Sequence, residues 1–141
     1  MLVLGISADQ LSKYLSIKYL KDIDISNISF GLVYYENSNI AFSIPIPGYI
    51  ASLVAFILII FILWKYGEDM FLKNNYVYIF LSLLITGALG NILDRLMHGF
   101  VIDFIKLSVF PIFNVADIMI SIAGIVFILY YKKIFKKQSS H

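Results

Sequence analysis

The sequence predicts a mainly α-helical membrane protein: a bundle of four transmembrane helices with a small extracytoplasmic β-segment, one integral-membrane domain over residues 1–141. Three observations predict it. Hydrophobic residues make up 60% of the chain and charged residues 14%, with a mean hydropathy of +0.87, whereas soluble domains carry about a quarter charged residues. The apolar residues gather at about 1–20, 48–64, 76–97 and 111–131, each near the roughly 20 residues a helix needs to cross a hydrocarbon core. Between the first two stretches, about 21–46, the pattern changes to short alternations broken by turn residues.

Met1 to Leu20 is apolar apart from Asp9-Gln10-Leu11-Ser12-Lys13, and Asp9 and Lys13 stand one helical turn apart, where they can pair. No basic residue precedes this stretch and no small-residue cleavage site follows it, so a removable signal peptide is not expected. Gly31-Leu-Val-Tyr-Tyr-Glu-Asn37 reads as a strand rich in branched and aromatic residues. Asn37-Ser38-Asn39 signals a turn, and Pro45 and Pro47 close the segment. Gly48 to Trp64 is almost continuously apolar, with Trp64 and Tyr66 at an interface. Lys65 to Asn75 reads as a short polar loop.

Tyr76 to Met97 carries Gly87, Gly90 or Asn91, Asp94, Arg95 and His98 at spacings of three and four, which gives one helix face. Small residues on that face let a second helix approach closely. In the last span, expected to begin near Pro111, Asn114, Asp117, Ser121 and Gly124 share a face in the same way. The lysines at 132, 133, 136 and 137, with Lys65 and Lys73, put both termini in the cytoplasm. The β-segment and Asp103 then lie at the outer face.

Ionisable residues in membrane-embedded sequence are costly and mark function by default. Asp103 and Asp117 lie fourteen positions apart on either side of a link containing Pro111. Two carboxylates brought close cannot both ionise easily, so one proton is held between them. The ionised member can take a proton from water while the protonated one hydrogen-bonds a scissile carbonyl. Asn91 and Asn114 offer amides to orient the pair, or serve as interhelical glue. Arg95 can reach a carboxylate or carbonyl on a neighbouring helix, and Asp94 can cap or pair nearby.

Other chemistries find less support. The chain has no cysteine, which removes disulfides, thiolate metal sites and cysteine nucleophiles. With only His98 and His141, the histidine-rich spacing of a hydrolytic metal site is missing, so neither metal nor cofactor is expected. Ser121 has no lysine or histidine placed to activate it. The net charge of +2 argues against nucleic acid as a partner. A transport or scaffold protein, whose carboxylates relay protons or hold helices together, remains the rival from another class.

Gly87-Ala-Leu-Gly-Asn91-Ile-Leu-Asp94-Arg95 followed by Gly99-Phe-Val-Ile-Asp103-Phe closely resembles a signature of the bacterial lipoprotein signal peptidases (signal peptidase II). Phe110-Pro-Ile-Phe-Asn114-Val-Ala-Asp117 resembles their second signature, and Asp9-Gln10-x-x-Lys13 their first-helix motif. The resemblance implies an inner-membrane aspartic endopeptidase, acting as a monomer among membrane phospholipid. Such enzymes cut the signal peptide from prolipoproteins just before a diacylglyceryl-modified lipobox cysteine. It implies Asp103 and Asp117 as the catalytic pair, with Asp9, Lys13, Asn37, Phe42, Asn91, Asp94, Arg95 and Asn114 binding substrate or supporting the site. One departure is visible. The family's Asn-x-Gly-x-Ala-Phe turn reads Asn37-Ser38-Asn39-Ile40-Ala41-Phe42 here, so Asn39 is expected to take the left-handed conformation of the glycine.

Overall fold

Apolar runs free of proline become helices, and the branched and aromatic runs beside them become strands. The computed structural model describes residues 2–39, 48–71 and 75–135, the side chains of 66–71 and 131–135 excepted. Its elements are α1 (Leu2–Leu20), β1 (Phe30–Asn37), α2 (Gly48–Phe71), α3 (Asn75–His98), β2 (Val101–Leu107) and α4 (Val115–Phe135). Phe42, Pro45, Pro47 and the lysines at 73, 136 and 137 fall outside the described residues.

The first helix is polar inside and apolar outside. On α1 the buried residues are Asp9, Lys13 and Ser16, while Val3, Leu4, Leu11, Tyr14 and Tyr19 are exposed. Leu53, Val54, Phe56, Ile57, Leu58, Ile60 and Trp64 of α2 are exposed as well. Such continuous apolar surface marks contact with lipid. Gly48–Lys65 of α2 and all of α3 are long and apolar enough to cross a membrane, at mean hydropathies of 2.2 and 1.8; the apolar part of α4, Val115–Tyr130, is shorter.

α3 is the axis of the molecule, packed against α1, α2, α4 and β2. Ile59 of α2 joins Val77, Leu81, Ile85 and Ile92 of α3 in the core, with Phe127 and Tyr130 of α4 against them. Tyr76 and Tyr130 stack at 4.3 Å between ring centroids. At Gly90 an added Cβ would stand 2.5 Å from Asp9 Oδ2, so glycine there lets the α1 carboxylate reach the α3 backbone. α2 runs through Phe71, so the expected 65–75 loop is mostly helix. The only glycine in that overrun is Gly67 and it holds no proline, so nothing local stops the helix at the membrane edge.

The expected strand finds its partner in β2, which sequence reasoning left as a link. The two pair antiparallel, with Asn37 opposite Val101 and Tyr35 opposite Asp103, and the register is irregular between Leu32 and Tyr35. Gly99, at φ 84°, ends α3 and turns the chain into β2. After β2 the chain turns at Ser108, whose φ is 47°, and Phe110 N–H bonds Leu107 O at 3.0 Å. Phe113 is then pinned to Ile105 by N–H to O bonds of 3.1 Å and 2.8 Å in the two directions. That pairing keeps the chain extended, so α4 begins at Val115 and not near Pro111. Asp117 therefore sits in the first turn, not the second.

Candidate active site

Residues from β1, α2, α3, β2 and α4 converge on one cavity of about 850 Å³, lined by Tyr35, Asn37, Asn91, Arg95, Asp103, Asp117 and Ser121 together with apolar side chains. Asp103 lies on β2 and is 1% exposed. Both of its oxygens are engaged: Asn37 Nδ2 donates to Oδ2 at 2.8 Å and Asn114 Nδ2 to Oδ1 at 2.6 Å. Burial pushes its carboxyl up to about 7, opposed by the Asn37 amide and reinforced by the negative charge of Asp117.

Asp117 is half-buried, in the N-terminal turn of α4. Asn114 and Asp117 form a reciprocal cap: Asp117 N–H donates to Asn114 Oδ1 at 2.9 Å, and Asn114 N–H to Asp117 Oδ2 at 3.2 Å. Asn91 Nδ2 donates to Asp117 Oδ1 at 2.8 Å. Asn114 thus touches both carboxylates, one through its amide and the other through its backbone. Asp117 thus stands at a helix N-terminus, where negative charge is favourably placed, and burial favours the protonated form of Asp103.

Behind the pair, Lys13 is ion-paired to Asp9 at 2.8 Å, the expected helical pair, and to Asp94 at 2.9 Å. Asp9 Oδ1 also accepts the Ala116 N–H at 2.9 Å, and Asp94 Oδ2 accepts the Ile102 N–H at 3.0 Å. One cluster therefore ties α1 to α3, β2 and the start of α4. Gln10 belongs to it as well, donating to Asp94 Oδ1 at 2.9 Å. Its place beside Asp9 in the first-helix motif was the available signal, and Tyr35, two residues before Asn37 on the same strand, was another.

Arg95 lines the cavity, and its Nη2 donates to the Asn39 carbonyl at 3.1 Å, a hydrogen bond to the turn after β1 and not to a neighbouring helix. Its buried Nε has no hydrogen-bond partner among the described residues. Asn39 does not take up positive φ, which among the described non-glycine residues belongs to Ser108. Its N–H bonds Asn37 Oδ1 at 3.1 Å, an Asx turn that bends the chain without the left-handed conformation. His98 is exposed, away from the polar cluster. Among the described residues no group of three or more histidines, cysteines or carboxylates is gathered to hold a metal ion.

Apolar helices, two of them long enough to cross a membrane, thus surround a cavity in which amides hold two aspartates. The chain matches the signal peptidase (SPase) II family over residues 1–133. It is 40% identical to a lipoprotein signal peptidase of Thermodesulfovibrio yellowstonii over 136 residues, covering 91% of this chain and 88% of that protein. It is 35% identical to one from Clostridium tetani, covering 94% and 90%. A solved structure described as a bacterial membrane enzyme, obtained by the in meso method at 2.3 Å, superposes with a TM-score of 0.71 at 30% identity, covering 99% of this chain and 90% of that one. The chain belongs to the signal peptidase II family, and it is a membrane protease.

Proposed function

We propose that this chain is an aspartic endopeptidase that removes the signal peptide from diacylglyceryl-modified prolipoproteins, cleaving before the lipidated cysteine. The observation that carries the reading is Asn114, whose amide holds Asp103 and whose backbone holds Asp117 at one cavity. Asp117 takes a proton from water, and the water oxygen attacks the scissile carbonyl. Asp103 donates its proton toward the carbonyl oxygen, and collapse of the tetrahedral intermediate returns a proton to the departing amine. The apolar cavity wall, including Ala51, Ala55 and Ile118, suits a lipid-bearing segment, and one chain supplies every residue the reaction uses.

The test is cleavage of a diacylated lipobox peptide by the purified protein across pH. Asp103 must enter protonated, so kcat/KM is expected to fall as pH rises through its value of about 7. One carboxyl of the two must be ionised to take the proton from water, which gives the profile an acidic limb, and both limbs belong to the coupled pair. Activity that keeps rising well above neutrality would remove Asp103 as the acid.

The same reading gives four spans in the bacterial cytoplasmic membrane, with both termini cytoplasmic and the sheet and cavity outside. It is supported by the lysines at 65, 73, 132, 133, 136 and 137 and by the inside-out polarity of α1. Cysteines introduced by Asn39→Cys and Lys137→Cys are expected to react with an impermeant reagent from opposite sides. Labelling of both from one side refutes this topology.

A further inference from the structure

The cluster behind the carboxylate pair has no role in the chemistry as proposed. Lys13 is 1% exposed, and an ammonium has three protons to donate. Two go to Asp9 and Asp94, and the third meets Asn91 Oδ1 at 3.2 Å.

That third contact has a directional consequence. An asparagine amide has one accepting end and one donating end. Asn91 Oδ1 also accepts from Asn114 Nδ2, at 3.1 Å, so its Nδ2 end is left to face Asp117 Oδ1. A reversed amide would set N–H against the Lys13 ammonium and against the Asn114 amide. It would also set its oxygen against the Asp117 carboxylate. Every one of those contacts is repulsive, so a single amide orientation survives.

We infer that Lys13 is a positioning residue for the cleavage reaction: clamped by Asp9 and Asp94, it holds the donating end of Asn91 on Asp117 and so keeps Asp117 the hydrogen-bonded anion that takes the proton from water. This rests on the protease reading and deepens it. The charged groups around the pair are Asp9 and Lys13 from α1, and Asp94 and Arg95 from α3, whose guanidinium feels both Asp103 and Asp117. β1 presents the neutral Asn37, and its Glu36 is exposed and bonded to Tyr34.

The test is a mutant cycle between Lys13 and Asn91, read by peptide cleavage. Lys13→Met is combined with Asp94→Asn, which removes one ammonium and one carboxylate together and leaves the net charge of the cluster unchanged. Loss of the Asn91 donor is expected to lower kcat about 100-fold, within the usual range of acid–base catalysis, with little change in KM. In an Asn91→Ala background the same pair of changes should cost almost nothing more, since Asn91 is the route of the effect. Lys13→Arg, which keeps charge and donors, should recover much of the activity that Lys13→Met loses. Should the charge-matched pair not fold, Lys13→Gln is carried through the same cycle. Losses that multiply across the Asn91→Ala background, or a loss that falls on KM and leaves kcat unchanged, overturn the inference while the protease reading stands. A wild type that does not cleave overturns both.

Discussion

Asp103→Asn and Asp117→Asn are each expected to abolish cleavage of a diacylated lipobox peptide, a loss of at least about 10³-fold from removing an acid or base. Asparagine is nearly the size of aspartate but can neither take up the proton nor pass it on. The surroundings sharpen the prediction. Each carboxylate accepts an N–H on both oxygens: Asp103 from Asn37 and Asn114, Asp117 from Asn91 and Asn114. An asparagine offers one accepting oxygen, so one donor in each variant faces an N–H₂ group. That mismatch costs about 1–3 kcal/mol, so both variants should fold but melt earlier in detergent. The double variant should be no less active than either single one, because residues acting as a unit are strongly non-additive. Cleavage that survives in a folded single variant removes the aspartic mechanism and leaves the hydrolysis to other groups.

The largest expected effect on stability lies one layer behind. Lys13→Ala leaves Asp9 and Asp94, both 0% exposed, facing each other without a cation. Breaking a buried ion pair by deleting one partner costs about 3–5 kcal/mol, chiefly because uncompensated charge stays buried. The damage spreads because Asp9 also accepts the Ala116 N–H of α4, and Asp94 the Ile102 N–H of β2. Chemical unfolding in detergent should show the loss, and Lys13→Met with Asp94→Asn should recover part of it by removing the excess charge. A Lys13→Ala protein within about 1 kcal/mol of wild type would mean that Asp9 and Asp94 do not stay buried as uncompensated charge, and would refute the prediction.

Much of this was legible in the sequence because the signals are local. The i, i+4 spacing of Asp9 and Lys13 needs only a helix to make a pair, and the bare apolar runs need only a membrane to make α2 and α3. The branched and aromatic run at β1 reads as a strand wherever it lies. The chemistry of the candidate pair was visible too, since carboxylates are expensive in oily surroundings and few competing nucleophiles or ligands exist in this chain.

Tertiary structure decided the rest, because each remaining feature depends on a neighbour distant in sequence. Val101–Leu107 becomes a strand by pairing with β1, some seventy residues earlier, and no local pattern records that pairing. Pro111 is a favourable first helical residue, yet Phe113 is held extended by Ile105, and α4 waits until Val115. The four-residue delay makes Asn114 the cap and puts Asp117 in the first turn. Asp94 joins Lys13 only because Gly90 lets α1 approach α3. By itself the sequence determined a mainly helical apolar protein and the short list of polar residues that are candidates for its chemistry. The orientation of every amide and carboxylate in the site was decided by where folding placed its donors, because a hydrogen bond acts over about 3 Å and along one direction.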